Sequence, residues 1–336
     1  MVVSLAQRLA PVDHAPIPGS HLGLTWRKVT LSDSEELQRL TRITEHESTA
    51  IRRTPVAQLD GFIEESCEGR YADALVGVDS AGVIQAFGLV RLYREDREVA
   101  RAELFAATMP KWRGRGIGRA LLAWQDARAR QLLVDAWGPD STLPARISNV
   151  VEAQQRDRRQ LYAAAGYTPT SFIGVYLHNL DEVPAPECGC SCQVRPLQEH
   201  DLPDVRRLHN AKAAGQGASR AQAQRWWNRV SRSLDPHLSF VCVDDEGRVQ
   251  AFALVCRHST TWLAAVDADA AIEASGPSTD DPWAAVIARV IEQARREGLG
   301  GVSIETTLSR VEGRDVALEA LGFNKIGVRM VYTVDL

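Results

Sequence analysis

The sequence predicts a mixed α/β protein built from two similar halves, and three observations lead to that prediction. The chain has 336 residues, of which 45% are hydrophobic and 24% charged, so it is long enough for two ordinary globular domains. The segment IQAFGLV at 84–90 recurs as VQAFALV at 249–255, each time after a turn that contains glycine. Within each half, segments with strand-like alternation and segments with helical periodicity follow one another.

Two further pairs of segments extend the repeat towards both ends of each half. WRKVTLSDSEEL at 26–37 matches VRPLQEHDLPDV at 194–205, and GYTPTSFIGVYLHNL at 166–180 matches GFNKIGVRMVYTVDL at 322–336. The spacing between matched segments shortens towards the C terminus, as expected if the second copy lost loop residues. We therefore interpret the chain as a tandem duplication. Its predicted parts are an N-terminal tail at 1–22, a first domain at 23–183, a linker at 184–192 and a second domain at 193–336.

The first part of the first half has elements that periodicity and turn residues define. A strand near Gly23–Lys28 leads to a helix that starts after Ser32, where acidic residues suit an N-terminal turn. An irregular helical stretch extends to about Ser66. The segment ALVGVDSAGVIQAFGLVRLY then predicts a hairpin of two strands joined by a tight turn at Ser80–Gly82, and a third strand runs from 99 to 109.

The second part of the same half starts where the third strand stops at Pro110. A glycine-rich segment follows it directly and leads into an amphipathic helix from Ile117 to about Leu133. A strand around Ala145–Val151 and a polar-faced helix at about Glu152–Ala165 come next, and Gly166 ends that helix. The half closes with a predicted pair of short strands.

Charge and hydropathy exclude some classes of protein. The formal net charge of −4 gives no overall basic field, so nucleic acid is not an expected partner. The basic run RDRRQ at 156–160 is short, and we interpret it as a solvated helix face. The sequence has no signal peptide pattern and no apolar run long enough to cross a bilayer. We therefore expect a cytoplasmic protein without membrane or nucleic-acid partners, either a monomer or a homodimer.

Three of the six cysteines, Cys188, Cys190 and Cys192, lie together in the segment CGCSC. They could form a thiolate metal cluster, but their alternate spacing does not match the usual zinc ligands, and no second Cys or His pair lies nearby. We expect no metal site, and we interpret these residues as thiols of the linker, which also contains proline and glycine.

The segment from Arg113 to Arg119 has the pattern of an anion site. It runs Arg113-Gly114-Arg115-Gly116-Ile117-Gly118-Arg119, between a strand and the start of a helix. Glycines let the main chain approach a phosphate, the helix N terminus offers free N–H groups, and the arginines add positive charge. A solvated glycine-rich turn is the alternative. The segment fits neither the Walker pattern, which needs Gly-Lys-Ser/Thr, nor the dinucleotide pattern G-x-G-x-x-G.

Residues 113–118 resemble the acyl-CoA-binding motif of the GNAT acyltransferase superfamily, Arg/Gln-x-x-Gly-x-Gly/Ala. The resemblance includes the preceding strand that ends in a proline, ELFAATMP, and a later segment, Leu161-Tyr162-Ala-Ala-Ala-Gly166-Tyr167, that matches Leu-Tyr-x-x-x-Gly-Phe/Tyr. It implies two GNAT-like domains, each a central mixed and mostly antiparallel sheet flanked by helices. It also implies an N-acetyltransferase that moves an acetyl group from acetyl-CoA, or another short acyl-CoA, to the amine of a small molecule within one ternary complex.

The resemblance also implies where the donor is held. The N–H groups of residues 113–119 are expected to bind the pyrophosphate of acetyl-CoA. A main-chain N–H near Ala106, Ala107 or Thr108 is expected to donate to the thioester oxygen. Gln155 lies where many members of the superfamily have an asparagine that contacts the pantetheine arm. It is expected to make that contact through a longer side chain, unless the contact is lost.

Residues for proton transfer and for the acceptor follow from the same resemblance. Glu103 is the candidate base for the amine, and Tyr162 the candidate proton donor for the departing thiolate. Glu103 could instead be a solvated strand residue, and Tyr162 a residue that packs its ring in the core. Near the acceptor, the resemblance places Glu45, His46 and Glu47. Their two carboxylates would favour a cationic amine, or they could form a solvated helix face.

The second half departs from the motif. Between the strand TWLAAVDA and the helix PWAAVIARVIEQARREG lies DAAIEASGPSTDD, which has no Arg-x-x-Gly-x-Gly and several acidic residues, and Leu318 replaces Tyr162. We expect a catalytically silent copy that buttresses the first or shapes its substrate cleft. Its core is the expected place of Trp226, Trp227, Trp262 and Trp283, and an interface is the alternative. The whole resembles actinobacterial two-domain acetyltransferases, a group that includes mycothiol synthase, although the competent copy there is the C-terminal one. A non-catalytic acyl-CoA sensor is the alternative from another class.

Overall fold

A computed structural model describes residues 3–69, 71–94, 96–184, 186, 193–215, 220–256, 263–270, 281–308 and 314–336. Contacts between residues divide the chain into two compact units. Unit 1 consists of Met1–Thr170 and Met330–Leu336, and unit 2 of Ser171–Arg329. The predicted domains, at 23–183 and 193–336, follow the sequence repeat and have other boundaries than these two units. The predicted division into domains therefore stays a prediction. Most of the predicted linker, including the three clustered cysteines, lies outside the described residues.

Helices and strands alternate along the first half. In chain order they are α1 (Leu5–Leu9), β1 (Thr25–Lys28), α2 (Ser34–Glu47), α3 (Val56–Glu68), β2 (Ala72–Val78), β3 (Ile84–Leu92), β4 (Ala100–Thr108), α4 (Ile117–Trp137), β5 (Ala145–Glu152), α5 (Arg156–Ala164) and β6 (Thr168–Asn179). Two predictions were wrong in detail. The helix predicted from Glu152 begins at Arg156, because Glu152 ends β5, and the predicted final pair of strands is the single strand β6.

The second half repeats this alternation. Its described elements are β7 (Gln193–Pro196), α6 (Leu202–Gly215), α7 (Arg220–Ser233), β8 (Phe240–Val243), β9 (Val249–Cys256), β10 (Leu263–Ala270), α8 (Pro282–Arg296), β11 (Gly301–Thr307), α9 (Arg314–Ala320) and β12 (Asn324–Asp335). The recurring segment at 84–90 lies in β3, and its repeat at 249–255 lies in β9. The matched segments at the ends of the halves form β6 and β12, which are both long strands.

Each unit has a mixed and mostly antiparallel sheet, as predicted. In unit 1 the strand order is β1-β2-β3-β4-β5-β12, where β4 and β5 are parallel and the pairs among β1 to β4 are antiparallel. In unit 2 the order is β6-β11-β10-β9-β8-β7, where β10 and β11 are parallel and the other pairs antiparallel. A parallel pair needs a crossover, and the helices α4 and α8 provide it.

The core of unit 1 places helices on both faces of its sheet. Apolar side chains of α2 and α3 pack with Phe87 and Leu89 of β3 on one face. On the other face, Ala86 packs with Ile117 and Leu121 of α4. Gly88 allows this helix to approach, because a Cβ there would lie 2.8 Å from a methyl carbon of Leu121. The start of α4 is thereby fixed against the sheet.

The predicted N-terminal tail is part of unit 1. Leu5 and Leu9 of α1 are completely buried. The Arg8 guanidinium donates to the main-chain oxygens of Leu143 and Leu336. Periodicity over five residues is too short to predict such a helix.

In unit 2, Trp283 is buried as expected, and Trp226 and Trp227 pack partly buried against a second apolar cluster. Trp262 lies outside the described residues. Of the described tryptophans of unit 2, Trp283 is therefore a core residue, and Trp226 and Trp227 pack against the core while staying partly exposed.

The same ion pair recurs in both halves. Arg27 makes two hydrogen bonds of 2.7 Å with Asp33, and Arg195 makes two of 2.7 Å with Asp201. Each aspartate also accepts a main-chain N–H three residues earlier. Such repeated local structure agrees with an internal duplication.

We expect Asp33→Asn to make the free energy of unfolding of unit 1 less dependent on pH in the acid range. Hydrogen bonding from Arg27 lowers the pKa of Asp33 below its ordinary 3.8. The resulting stabilisation is complete above pH 3.8 and is lost as the pH falls through the lower folded-state pKa. In urea unfolding between pH 2 and 7, the variant should have a free energy of unfolding about 1–3 kcal/mol lower than wild type at neutral pH, and this difference should become smaller in acid. A constant difference at every pH would contradict this explanation.

Candidate functional site

A gap opens between β4 and β5 in unit 1. Pairing of the two strands ends at Glu103 and Ser148, although β4 continues to Thr108 and β5 to Glu152. Side chains of β5 bridge the start of the gap. The Ser148 hydroxyl donates to a main-chain oxygen of β4 at 3.2 Å, and the Asn149 amide donates to another. Beyond Glu103 and Ser148, the described parts of the two strands are not paired with each other.

The main chain of β4 directs alternate N–H groups into this gap. Met109 donates its N–H to Gln85 at 2.8 Å, at the end of the antiparallel ladder between β3 and β4. Because residues in such a ladder alternate, Ala107 points its N–H towards β3, whereas Ala106 and Thr108 point theirs away from β3. Of the three predicted donors to a thioester oxygen, the geometry therefore favours Ala106 and Thr108.

The glycine-rich turn leaves the N terminus of α4 open. Gly114 and Gly116 have φ of 76° and 90°, in the left-handed region that favours glycine, and Gly116 is the N-cap of α4. No side chain caps this end of the helix. A Cβ at Gly118 would lie 3.4 Å from a methyl carbon of Leu161 in α5, which is close to an ordinary contact, so packing against α5 does not by itself require this glycine. No side chain thus competes with an anion for the first N–H groups of α4, and the anion site itself stays a prediction.

Three arginines surround this turn and are exposed. Arg113 donates to the main-chain oxygen of Thr108 at 3.3 Å, and Arg115 lies over the Trp112 ring at 4.5 Å. Arg119 lies in the first turn of α4. Their positive charges add to the positive end of the helix dipole. The turn therefore fits a pyrophosphate in both geometry and charge.

The corresponding helix of unit 2 has a different N terminus. The Asp281 carboxylate caps α8 by accepting the N–H of Ala284 at 2.7 Å, and Pro282, at the first position of the helix, has no N–H to donate. The acidic loop that precedes it falls mostly at 271–280, outside the described residues. An internal carboxylate thus occupies the place that an anion would take at α4.

Glu103 lies within a cluster of charged and aromatic side chains. The Tyr93 hydroxyl donates to Glu103. The guanidinium groups of Arg91 and Arg101 lie 5.7 and 5.5 Å from the centre of the Tyr93 ring. Arg91 also pairs with Glu65 at 2.6 Å. Burial and the Glu103 charge raise the pKa of Tyr93 far above its ordinary value, so the phenol stays a hydrogen-bond donor.

Tyr162 is buried, and only 2% of its surface is exposed. Its ring lies 5.3 Å from that of Tyr167 and 6.1 Å from that of Tyr332. Burial raises the pKa of Tyr162, while the nearby Arg158 opposes that shift. Arg158 in turn donates to Gln155 at 3.2 Å. The ring is thus a core group, and the hydroxyl lies beside a chain of polar groups that leads to Gln155.

The three residues predicted near the acceptor lie at the end of α2 in different environments. His46 and Glu47 are exposed, whereas Glu45 is half-buried and accepts the N–H and hydroxyl of Thr54 at 2.8 and 2.6 Å. Burial raises the pKa of Glu45 and the bonds from Thr54 partly offset this. The Glu45 carboxylate is therefore bound to Thr54 of the following loop, and of these three residues only His46 and Glu47 are exposed.

Sequence reasoning missed several residues that shape the gap. Tyr93 could have been found, because the hairpin register of β3 and β4 places it diagonally across from Glu103. Asn149 and Glu152 had no such signal, since their partners are distant in the sequence. Among the described residues, no group of three or more His, Cys, Asp or Glu side chains is placed to hold a metal. No described helix is long and apolar enough to cross a membrane.

No protein-family model and no curated protein sequence matches this chain. Solved structures do match it along most of its length. A GCN5-related N-acetyltransferase from Sphaerobacter thermophilus has a TM-score of 0.70 and 18% identity, over 93% of this chain and 95% of that one. A tandem GNAT protein from the clavulanic acid biosynthesis pathway has a TM-score of 0.63 and 19% identity, over 93% and 98%.

The N-myristoyltransferase of Saccharomyces cerevisiae, solved with bound myristoyl-CoA, has a TM-score of 0.53 and 12% identity, over 96% of this chain and 81% of that one. Identities this low establish the fold alone. The narrower resemblance to mycothiol synthase finds no support in these comparisons. Along nearly its whole length, the chain has the fold of the GNAT acyltransferases.

Proposed function

We propose that unit 1 is an N-acyltransferase that moves an acetyl group from acetyl-CoA to the amine of a small molecule. The observation that carries the proposal is the open, arginine-flanked N terminus of α4, which lies next to the gap between β4 and β5. Similar folds include a protein solved with myristoyl-CoA, which supports an acyl-CoA ligand in general. Acetyl as the acyl group and a small-molecule amine as the acceptor are the finer parts of the proposal.

The donor would be held by the turn and the gap together. The N–H groups and side chains of 113–119 would bind the pyrophosphate. Gln155, which accepts a hydrogen bond from Arg158, would contact the pantetheine arm. When bound, acetyl-CoA supplies the activated acyl group. The N–H of Ala106 or Thr108 would then stabilise negative charge on the thioester oxygen, because each is directed away from β3 into the gap.

Two side chains would move protons. Glu103 would accept the proton that the ammonium group of the acceptor must lose before it attacks. Tyr162 would give its proton to the departing thiolate, which requires the hydroxyl to become accessible once the gap is filled. His46 and Glu47, exposed at the end of α2, are the candidates for contact with the acceptor. Such geometry brings two reactants together without a covalent intermediate on the protein.

We also propose that the second half has no catalytic site of its own. Asp281 and Pro282 occupy the helix end that would bind a pyrophosphate, and a carboxylate there would repel one. Leu318, which replaces the candidate proton donor, is completely buried in the apolar core of unit 2. Among the residues that the structure describes, the corresponding places therefore offer a polar cofactor arm neither an anion site nor a proton donor.

A non-catalytic acyl-CoA sensor is the second candidate, and the burial of Tyr162 favours it. A sensor needs the turn at 113–119, but it does not need Glu103 or Tyr162. The two functions share a first test, which is the melting temperature with and without acetyl-CoA. Acetyl-CoA at about 100 times its Kd should add ~2.7 kcal/mol of stability in either case. Release of CoA with a panel of amines then separates them.

Tyr162→Phe gives the sharper separation. In a catalyst, this variant should lose turnover on the order of a hundredfold, while the acetyl-CoA-dependent increase in melting temperature is retained. Tyr167→Phe, which alters a neighbouring buried tyrosine, is the matched control and should leave turnover within about threefold of wild type. Equal turnover in wild type and Tyr162→Phe would remove Tyr162 from the mechanism. No turnover with any amine, despite a clear thermal shift, would favour the sensor.

A further inference from the structure

The loop between α2 and α3 is held by two carboxylates from different elements. The N–H groups of Ile51 and Arg52 donate to one oxygen of Glu152 at 2.9 and 3.2 Å. At the other end of the loop, Thr54 donates its N–H and its hydroxyl to one oxygen of Glu45. Hydrogen bonds to an ionised acceptor are about twice as strong as neutral ones. Four donors within four consecutive residues therefore bind to two anchors.

Glu152 connects this loop to the proposed active site. It is the last residue of β5, beyond the point at which β4 and β5 stop pairing. Only 7% of its surface is exposed, and its second oxygen accepts the Gln154 amide at 2.8 Å. Both carboxylate oxygens are thus in use. The loop at 51–54 is consequently tied to the mouth of the gap, on the strand that forms one of its walls.

The turn that leads into the loop is conformationally costly. Thr49 has φ of 48°, in the left-handed region, which a β-branched residue rarely adopts. Ala50 then donates its N–H back to the main-chain oxygen of Glu45 at 2.8 Å. Such a conformation persists only where the surrounding contacts determine it. The carboxylate anchors supply those contacts, so the loop has one defined position.

We propose that Glu45 and Glu152 are positioning residues that clamp the 51–54 loop at the mouth of the gap, so that it forms a fixed wall of the amine entrance. The clamp is observed directly, and its role for the amine rests on the function proposed above. Arg52 and Arg53, both exposed, lie on this wall. The inference replaces the sequence-based expectation that Glu45 itself contacts the acceptor.

Trypsin tests the clamp without reference to activity. It cleaves after arginine, and Arg52 and Arg53 lie inside the clamped loop. Glu152→Ala and Glu45→Ala should each speed native-state cleavage after these two arginines at least about tenfold, equivalent to ~1.4 kcal/mol of easier local opening. Glu152→Gln and Glu45→Gln keep an acceptor oxygen and should restore most of the resistance. Glu64→Ala, which removes an exposed carboxylate from α3, is the control and should not change the rate.

Mass spectrometry of the first fragments locates the cuts. Acceleration confined to Arg52 and Arg53 supports the clamp, whereas no acceleration there, or equal acceleration at all arginines, overturns it.

Steady-state kinetics test the proposed role of the clamp for the amine. Four amines are compared as acceptors for the wild-type protein, putrescine, tyramine, glucosamine and lysine, and the one that is acetylated fastest is used. Both alanine variants should raise the KM for that amine by at least about fivefold, with little change in the KM for acetyl-CoA. A fivefold change corresponds to less than the ~1.4 kcal/mol of a tenfold change. An unchanged KM for the amine in both variants would overturn the role of the clamp at the amine entrance. If the wild-type protein acetylates none of the four amines, that result counts against the proposed function, and the trypsin result still decides whether the clamp exists.

Discussion

Replacing Gly116 with aspartate is expected to lower the stabilisation of the protein by acetyl-CoA much more than replacing it with asparagine does. Gly116 caps α4 with φ of 90°, so both replacements carry the same kind of backbone strain, and asparagine tolerates this region best among residues with a side chain. The two side chains have nearly the same size. Only the aspartate adds a negative charge where the pyrophosphate is proposed to bind.

The size of the effect follows from Coulomb's law. Two unit charges 4 Å apart repel by about 1 kcal/mol in bulk water and ~4 kcal/mol at the effective dielectric constant typical of a protein surface. The Kd for acetyl-CoA should therefore rise by about fivefold to about a thousandfold in Gly116→Asp relative to Gly116→Asn. Isothermal titration calorimetry measures that ratio directly. Similar Kd values for the two variants would mean that no anion binds at this helix end.

Unit 2 contains a natural counterpart of this variant. Asp281 caps α8 and accepts the N–H of Ala284, so a carboxylate already fills the helix end there. One of the differences between the halves is thus a glycine cap against an aspartate cap. Gly116→Asp would give the first helix end the carboxylate that the second has. Loss of acetyl-CoA binding in that variant would support the proposal that the second half has no donor site.

The features that the sequence predicted well depend on neighbouring residues. The turn at 113–118 was predictable because glycines that adopt positive φ, a preceding strand and a following apolar helix all lie within one short segment. The paired aspartates Asp33 and Asp201 were aligned for the same reason, since each ion pair closes over six residues. Local patterns of this kind determine their own structure.

Features that join distant residues could not be predicted in this way. The helical pattern that suggested acceptor contact for Glu45 does not reveal that Thr54 donates to this carboxylate. Glu152 holds a loop about 100 residues earlier in the chain. Likewise, Met330–Leu336 belongs to unit 1, although the repeat assigned those residues to the second half. Only strand pairing decides which sheet a terminal strand joins.

Glu103→Gln is expected to lower turnover about 10²- to 10⁴-fold near pH 7, the range that a general base contributes. Glutamine keeps the size of the side chain and an acceptor for the Tyr93 hydroxyl, but it cannot take a proton from an ammonium group. The loss should shrink as the pH approaches the amine's own pKa, about 10.4 for a lysine-like amine, because an amine that is already neutral does not have to give a proton to Glu103 before it attacks. Glu98→Gln, an exposed carboxylate next to β4, is the control for lost charge.

Retention of the acetyl-CoA thermal shift in Glu103→Gln would show that the donor site is intact. A loss of turnover that stays constant with pH would instead mean that Glu103 supports the structure or the acceptor, and that another group takes the proton. If Tyr93 acts by holding the carboxylate, Tyr93→Phe should lower turnover about tenfold, a coupling of ~1.4 kcal/mol. Because that effect passes through Glu103, adding Tyr93→Phe to Glu103→Gln should cost little more. Additive losses in the double variant would show that the two residues act independently, despite the hydrogen bond between them.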